Sequence, residues 1–211
     1  MEEMRMLKTL TERYPVLDAV KTQIEEAYRM MEVCYENGGK LLVGGNGGSS
    51  ADAEHIVGEL MKGFLKKRSL PEALQEQLKA IDPERGACLA EKLQGALPAI
   101  AISGHYALSS AFANDVDPVL TYAQQVMGYG NPGDVFFAIS TSGNAENVIY
   151  AAVAAKARGM KIVALTGKDG GKLAKLADVS IIVPLQETYQ IQELHLPIYH
   201  AFCLMLEERF F

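Results

Sequence analysis

Residues 41–60 read LLVGGNGGSSADAEHIVGEL, and the fold turns on how that stretch changes character. A short apolar run breaks into Gly44, Gly45, Gly47 and Gly48, passes two hydroxyls at Ser49 and Ser50, and becomes a helix. An apolar run of that length, flanked by turn residues, is the pattern of a strand buried on both faces. Glycines let the backbone turn sharply and come close to a ligand. Ser49 and Ser50 are suited to cap the helix, whose unpaired first N–H groups favour negative charge. Further along, His55 and Glu59 stand at i, i+4 on one face, a spacing that lets two side chains meet at one ion or one substrate atom. An anion cradle beside such a pair implies an enzyme acting on a phosphorylated metabolite.

The same grammar repeats along the chain. Apolar runs at 40–43, 98–102, 134–139, 161–165 and 179–183 are separated by helical segments. The alternation predicts an α/β fold: a three-layer, doubly wound, flavodoxin-like sandwich with a five-stranded parallel sheet, right-handed crossovers and ligands outside the carboxyl ends of the strands. A second rich turn, STSGNAEN, follows the third run directly, so it opens on the same sheet edge as GGNGGSS. There Ser140, Thr141 and Ser142 offer hydroxyls, Gly143 permits close approach, and Asn144 is placed to cap the next helix, as far as Arg158. Each turn alone reads equally well as ordinary capping; two on one edge read as phosphate binding.

Residues 1–38 read as N-terminal helices, divided near Pro15. In the longer one, 17–35, Leu17, Val20, Ile24, Ala27, Met31 and Cys34 form an apolar stripe, and Asn37-Gly38-Gly39 ends it. Residues 70–95 change pattern to two short amphipathic helices broken at Asp82-Pro83, an inserted hairpin suited to packing, oligomer contact or a lid. One domain, 1–211, accommodates all of this.

Of the 211 residues 49% are hydrophobic and 22% charged, the balance of an ordinary globule. No run approaches the roughly 20 apolar residues of a membrane span, and the opening MEEMRMLKTL lacks the regions of a signal peptide, so a cytoplasmic protein without membrane partners is expected. Three scattered cysteines suggest buried thiols rather than disulfides or a thiolate metal site. A net charge of −6 argues against a nucleic-acid partner. The basic run KKR at 66–68 reads as the solvated end of a helix, its charges complementing the macrodipole.

Taken in order, GNGGSSADAEHIVGEL, FANDV, AISTSGNAENVI, IVALTG and ETYQIQELHLPIYH resemble the sugar isomerase (SIS) family and, through the added HxxxE and QExHxxxxH, its phosphoheptose isomerase branch. The likeness runs from residue 18 to the C-terminus, apart from 70–95. It implies conversion of sedoheptulose 7-phosphate to D-glycero-D-manno-heptose 7-phosphate, a homotetramer with sites at subunit interfaces, and bound zinc. Carried over, it gives Asn46, Gly47, Gly48 and Ser49 as substrate contacts, Ser140, Thr141 and Ser142 as phosphate-binding hydroxyls, and Asn114 and Asp115 as a pair near the sugar. By the same resemblance Glu59 and Gln192 are also expected to contact substrate. His55, Glu59, Gln192 and His200 are the implied zinc ligands, with Glu59 and His200 also the catalytic pair. Ala145 stands where the family commonly has serine and Gln190 where it often has arginine, which puts the sugar, not the reaction type, in question.

Isomerisation moves one proton between adjacent carbons and another between their oxygens, which calls for a base, an acid and charge stabilisation. Glu59 is the expected base and His200 the acid. Gln192 and His200 are about 12 Å apart on an ideal helix, so one ion meets both only if it lies between their ends, the helix starts irregularly, or a neighbouring subunit supplies a ligand. His195, about 140° around from His200, reads as a supporting or interface residue, and His105 has no motif behind it. The reading from another class is a non-catalytic SIS module of the replication-initiator-associating kind. Such modules tend to lack the Glu and final His that this chain retains.

Overall fold

A computed structural model describes the backbone of residues 2–211; Met1, first of the residues read as N-terminal helices, lies outside the described residues. Five strands form one parallel sheet in the order β2-β1-β3-β4-β5: β1 (Leu41–Gly44), β2 (Ala99–Ala101), β3 (Val135–Ser140), β4 (Lys161–Thr166) and β5 (Val179–Ile182). Leu41 is paired with both Ala99 and Val135, Val135 with Lys161, and Val163 with Val179. All five apolar runs became strands because a parallel sheet is covered on both sides, which leaves little room for polar side chains.

Alternation along the strands divides the core in two. Leu41, Val43, Val135, Phe137, Ile139, Val163 and Leu165 face one layer with residues of α1 (Glu2–Arg13), α2 (Lys21–Glu36), α3 (Gly48–Met61) and α10 (Thr188–Phe210). Leu42, Phe136, Ala138, Ile162 and Ala164 face the other, with α7 (Thr121–Tyr129), α8 (Glu146–Ala157) and α9 (Gly171–Leu176). Successive side chains on a strand point to opposite faces, so one run serves both cores.

The stripe from Leu17 to Cys34 is buried throughout. Its first part is not α-helix, however: Pro15–Val20 forms a 3-10 turn, with Pro15 at its start and Leu17 and Val20 buried, before α2 begins. The insertion is a pair of helices, α4 (Glu72–Ile81) and α5 (Pro83–Lys92), packed against each other. Asp82 ends the first and caps the second, its carboxylate accepting from the Arg85 N–H at 2.8 Å. An antiparallel bridge between Ser69 and Gln94 closes the base of the hairpin. Remaining between β2 and α7 is α6 (Tyr106–Asp115).

Two expectations fail. The KKR run does not end a helix in solvent: α3 stops at Met61, and the Arg68 side chain is fully buried. Its guanidinium donates to the last carbonyls of α3, at Leu60 (2.7 Å) and Glu59 (3.0 Å), and to Glu207 Oε1 on α10 (2.8 Å). The attraction of a cation to a helix C-terminus was rightly read, but a buried carboxylate lets that cation leave water. Of the cysteines, Cys34 and Cys203 are buried and Cys88, on α5, is exposed. The hairpin has little interior in which to hide it: α4 has no buried residue at all.

Candidate active site

With β1 between β2 and β3, the strand order reverses beside β1, and ligands of such sheets bind in the crevice at the carboxyl ends there. The two rich turns follow β1 and β3 and meet at that crevice. Asn46 and Asn147 join them by a reciprocal amide pair at 2.8 and 2.9 Å. Asn46, Gly47, Gly48, Ser49, Ser140, Thr141, Ser142, Thr188 and Gln192 line a cleft of about 310 Å³. Five hydroxyl side chains and the first turn of α3, where backbone N–H groups lack intrahelical partners, give that cleft the chemistry of an anion site.

The caps differ from expectation. Gly47, at φ +56°, is the residue before α3, and no side chain caps the helix; Ser49 and Ser50 lie inside its first turn. The left-handed conformation that glycine accepts turns the chain here, so no serine is needed to do so. Asn144 likewise does not cap α8, which starts after Ala145; its amide donates to the Ser142 carbonyl at 2.9 Å and bends the turn. Gly48 matters for a different reason. A Cβ there would lie 2.6 Å from Gln192 Nε2, so the bare backbone is what lets α10 lay the Gln192 amide on the start of α3.

Seven residues further on, the same two helices meet again. His55 Nδ1 lies 3.1 Å from the Tyr199 hydroxyl, and its ring packs edge-on against His200 at 5.0 Å between centroids. His55 Nε2 is 3.5 Å from Glu59 Oε1, while Glu59 Oε2 takes the Lys62 ammonium at 3.0 Å. The structure thus brings Glu59, His55 and His200 into one cluster on α3 and α10. Burial first, then the His55 charge, push the His200 imidazole below its usual pKa, with Glu59 opposing, so His200 is neutral at physiological pH. Its Nε2 is buried without a partner among the described residues. Burial, reinforced by Asp52, raises the Tyr199 phenol far above its ordinary range.

Gln192 belongs to the cleft and not to this cluster, so the four implied zinc ligands divide, with Gln192 eight residues before His200 on α10. Among the described residues no three His, Cys, Asp or Glu side chains converge on a point that could hold a metal ion. His55, Glu59 and His200 carry nitrogen and oxygen donors of the kind zinc takes, but with Gln192 in the cleft the four implied ligands do not share one point as arranged. Asn114 and Asp115 end α6 on the surface, the amide donating to the carboxylate at 2.8 Å, and neither lines the cleft. His195 is core: fully buried, with Nε2 3.3 Å from the Thr166 carbonyl, and not an interface residue within this chain. His105 precedes α6 and stacks at 5.3 Å on Tyr129. Sequence reading missed Asp52, Tyr199, Thr188 and Asn147. A signal existed for Asp52, which stands with His55 and Glu59 at i, i+3 and i+7, a polar stripe on a helix whose neighbouring face is core.

Comparison with known proteins agrees with this geometry. The family model of the SIS domain matches residues 8–92 and 83–167. Among curated relatives, a phosphoheptose isomerase of Nitratiruptor sp. is 37% identical over 207 residues, covering 96% of this chain and 97% of its own, and one of Glaesserella parasuis is 39% identical over 185 residues, covering 87% and 82%. Among solved structures, phosphoheptose isomerase GmhA from Neisseria gonorrhoeae superposes with a TM-score of 0.71 at 33% identity, covering 97% of this chain and 93% of that one. A phosphoheptose isomerase from Francisella tularensis gives 0.76 at 31%, covering 95% and 93%. The chain belongs to the SIS-domain family and, within it, to the phosphoheptose isomerase branch.

Proposed function

We propose that this protein is an aldose–ketose isomerase of phosphorylated sugars, with sedoheptulose 7-phosphate as its substrate and D-glycero-D-manno-heptose 7-phosphate as its product. One observation carries the reading: the cleft and the Glu59–His55–His200 cluster lie along the same two helices, seven residues apart from Gly48 to His55 and eight from Gln192 to His200, or about 10–12 Å. An extended sugar phosphate spans that length. Its phosphoryl group sits among Ser140, Thr141, Ser142 and the start of α3, where hydroxyls and backbone N–H groups neutralise it, and Asn46, Ser49 and Gln192 orient the chain. Asn114 and Asp115 lie outside this cleft, and as substrate contacts they rest on the resemblance alone, as at a site shared between subunits.

At the far end, the Glu59 carboxylate removes the carbon-bound proton beside the carbonyl and returns it to the neighbouring carbon. His200, neutral, moves the second proton between the two oxygens: a neutral imidazole can take a proton at one nitrogen and give one at the other. The retention of both residues, and the isomerase names of the relatives, favour an enzyme over a binding module. Zinc held by His55, Glu59, Gln192 and His200 is a separable proposal; it requires those side chains to turn towards a common point, and metal analysis of active protein decides it. A homotetramer, supported by the resemblance, is checked by light scattering. The cytoplasm, where phosphorylated sugars occur and an exposed Cys88 stays reduced, is the proposed compartment.

The test is turnover of a panel of C5 to C7 ketose phosphates, with the aldose product identified. No turnover of any member, with zinc present, rejects the isomerase. Glu59→Gln should lower kcat by on the order of 10²- to 10⁴-fold while leaving ligand binding measurable; retained activity removes Glu59 as the base.

A further inference from the structure

Asn147 has no task in the reaction above, yet it decides how one wall of the cleft is held. The second rich turn is anchored from several sides. The Thr141 carbonyl accepts from the Gly167 N–H at 3.1 Å, the Gly143 carbonyl from the Leu173 N–H at 3.0 Å, and Asn144 Oδ1 from the Lys172 N–H at 3.2 Å. The tip of the first turn has less support: Asn46 is exposed, and a Cβ on Gly47 would meet nothing within 4 Å. From that tip the Asn46 side chain reaches across to Asn147 in the first turn of α8.

The backbone fixes which way the two amides face. Asn147 Oδ1 accepts from the Val148 N–H at 3.0 Å as well as from Asn46 Nδ2 at 2.8 Å. Turning the Asn147 amide over would set its NH2 against that N–H, donor against donor. Nδ2 of Asn147 is therefore the atom offered to Asn46, and Asn46 Oδ1 meets it at 2.9 Å. The pair occupies one N–H and one lone pair of the Asn46 amide, which leaves one of each for a ligand, at set positions. Ordering a turn before the ligand arrives removes a cost that binding would otherwise carry. We infer that Asn147 is a positioning residue: it orients the Asn46 amide and ties the first turn to the anchored second one, so that the cleft is preformed for a phosphoryl group. This rests on the reading of the cleft as the phosphate end of the site.

Calorimetric titration of substrate-free protein with inorganic phosphate tests it. Asn46→Ala and Asn147→Ala should each weaken binding by about 3- to 10-fold, the range of one neutral hydrogen bond. The double variant should bind no more weakly than Asn46→Ala, because nothing is left for Asn147 to hold. In Asn147→Ala the Val148 N–H keeps its other acceptor, the Ala145 carbonyl at 3.1 Å, so α8 still starts where it did. The side-chain amide signal of Asn46, assigned by its loss in Asn46→Ala, should shift in Asn147→Ala while other asparagine amides away from the cleft stay in place. With the sugar phosphate that the panel identifies, Asn147→Ala should raise KM by the same factor and alter kcat by less than about twofold. Fold-changes that multiply in the double variant overturn the inference, and so does an Asn147→Ala protein with unchanged phosphate affinity. Failure of the isomerase reading looks different: phosphate binds and the two asparagines are coupled, but no ketose phosphate turns over. A wild-type protein that binds no phosphate overturns both.

Discussion

His195 shows what one buried group does to the whole molecule's response to acid. Burial lowers its pKa to about 4, partly opposed by its bond to the Thr166 carbonyl, so the folded protein holds it neutral. In the unfolded chain it titrates near 6.5. Between those values the unfolded state binds the extra proton, so stability is full above about pH 6.5 and falls as pH drops towards 4, by about 3 kcal/mol in all. Urea melts at pH 7 and pH 4 should show that loss in wild type and a smaller one in His195→Gln, which keeps a donor for Thr166. An equal loss in both would place the acid sensitivity elsewhere. Residue identities of this kind were only half legible. His55, Glu59 and His200 stood out by spacing, whereas the meaning of His195 depended on which side of α10 faces the sheet, a matter the packing of β4 decides.

The end of α3 and the end of α10 are held by one buried pair. The Glu207 carboxylate accepts from the N–H groups of Phe64 (2.8 Å), Leu65 (2.8 Å) and Lys66 (3.1 Å) besides Arg68, which in turn closes the last carbonyls of α3. Burial alone would raise its pKa, but those donors outweigh it and bring it below the ordinary carboxylate value. Glu207→Gln should therefore destabilise by about 3–5 kcal/mol at neutral pH, since it leaves Arg68 buried and unpaired. The stabilisation is fully present above the unfolded carboxylate pKa of 4.5 and is lost as pH falls through the lower folded value, so the gap between variant and wild type should narrow in melts below that pH. Sequence pattern showed the strands well, because burial on two faces forces apolar runs, and it showed the amphipathic α2. It missed this clamp, since KKR and a glutamate 139 residues beyond Arg68 carry no periodic sign of each other. The helix starts were misread because a positive φ at Gly47, not a serine oxygen, makes the turn.

On the scale of the molecule, sheet and hairpin are separate bodies joined by two short segments. With no buried residue on α4 and a bridge at Ser69 and Gln94, the sheet's two cores need nothing from 71–92. Replacing 71–92 by a short Gly-Ser linker should leave one cooperative thermal transition and a far-UV spectrum reduced only in helix; a molten product would show that the hairpin braces the sheet. That the two rich turns meet was legible because parallel topology puts every strand's carboxyl end on one edge. The pairing of α3 with α10 was not, for it joins positions more than a hundred residues apart through contacts such as those at Gly48, Asp52 and His55.

Pro197 sits within α10, buried, between Gln192 at the cleft and His200 in the cluster with His55 and Glu59. Proline has no N–H to offer the preceding turn, so the helix that carries both groups of residues lacks a rung in the middle. The spacing between the proposed phosphate grip and the proposed carbonyl machinery is thereby set across a joint: a change of bend there would lengthen or shorten the distance between them while each end keeps its own local contacts.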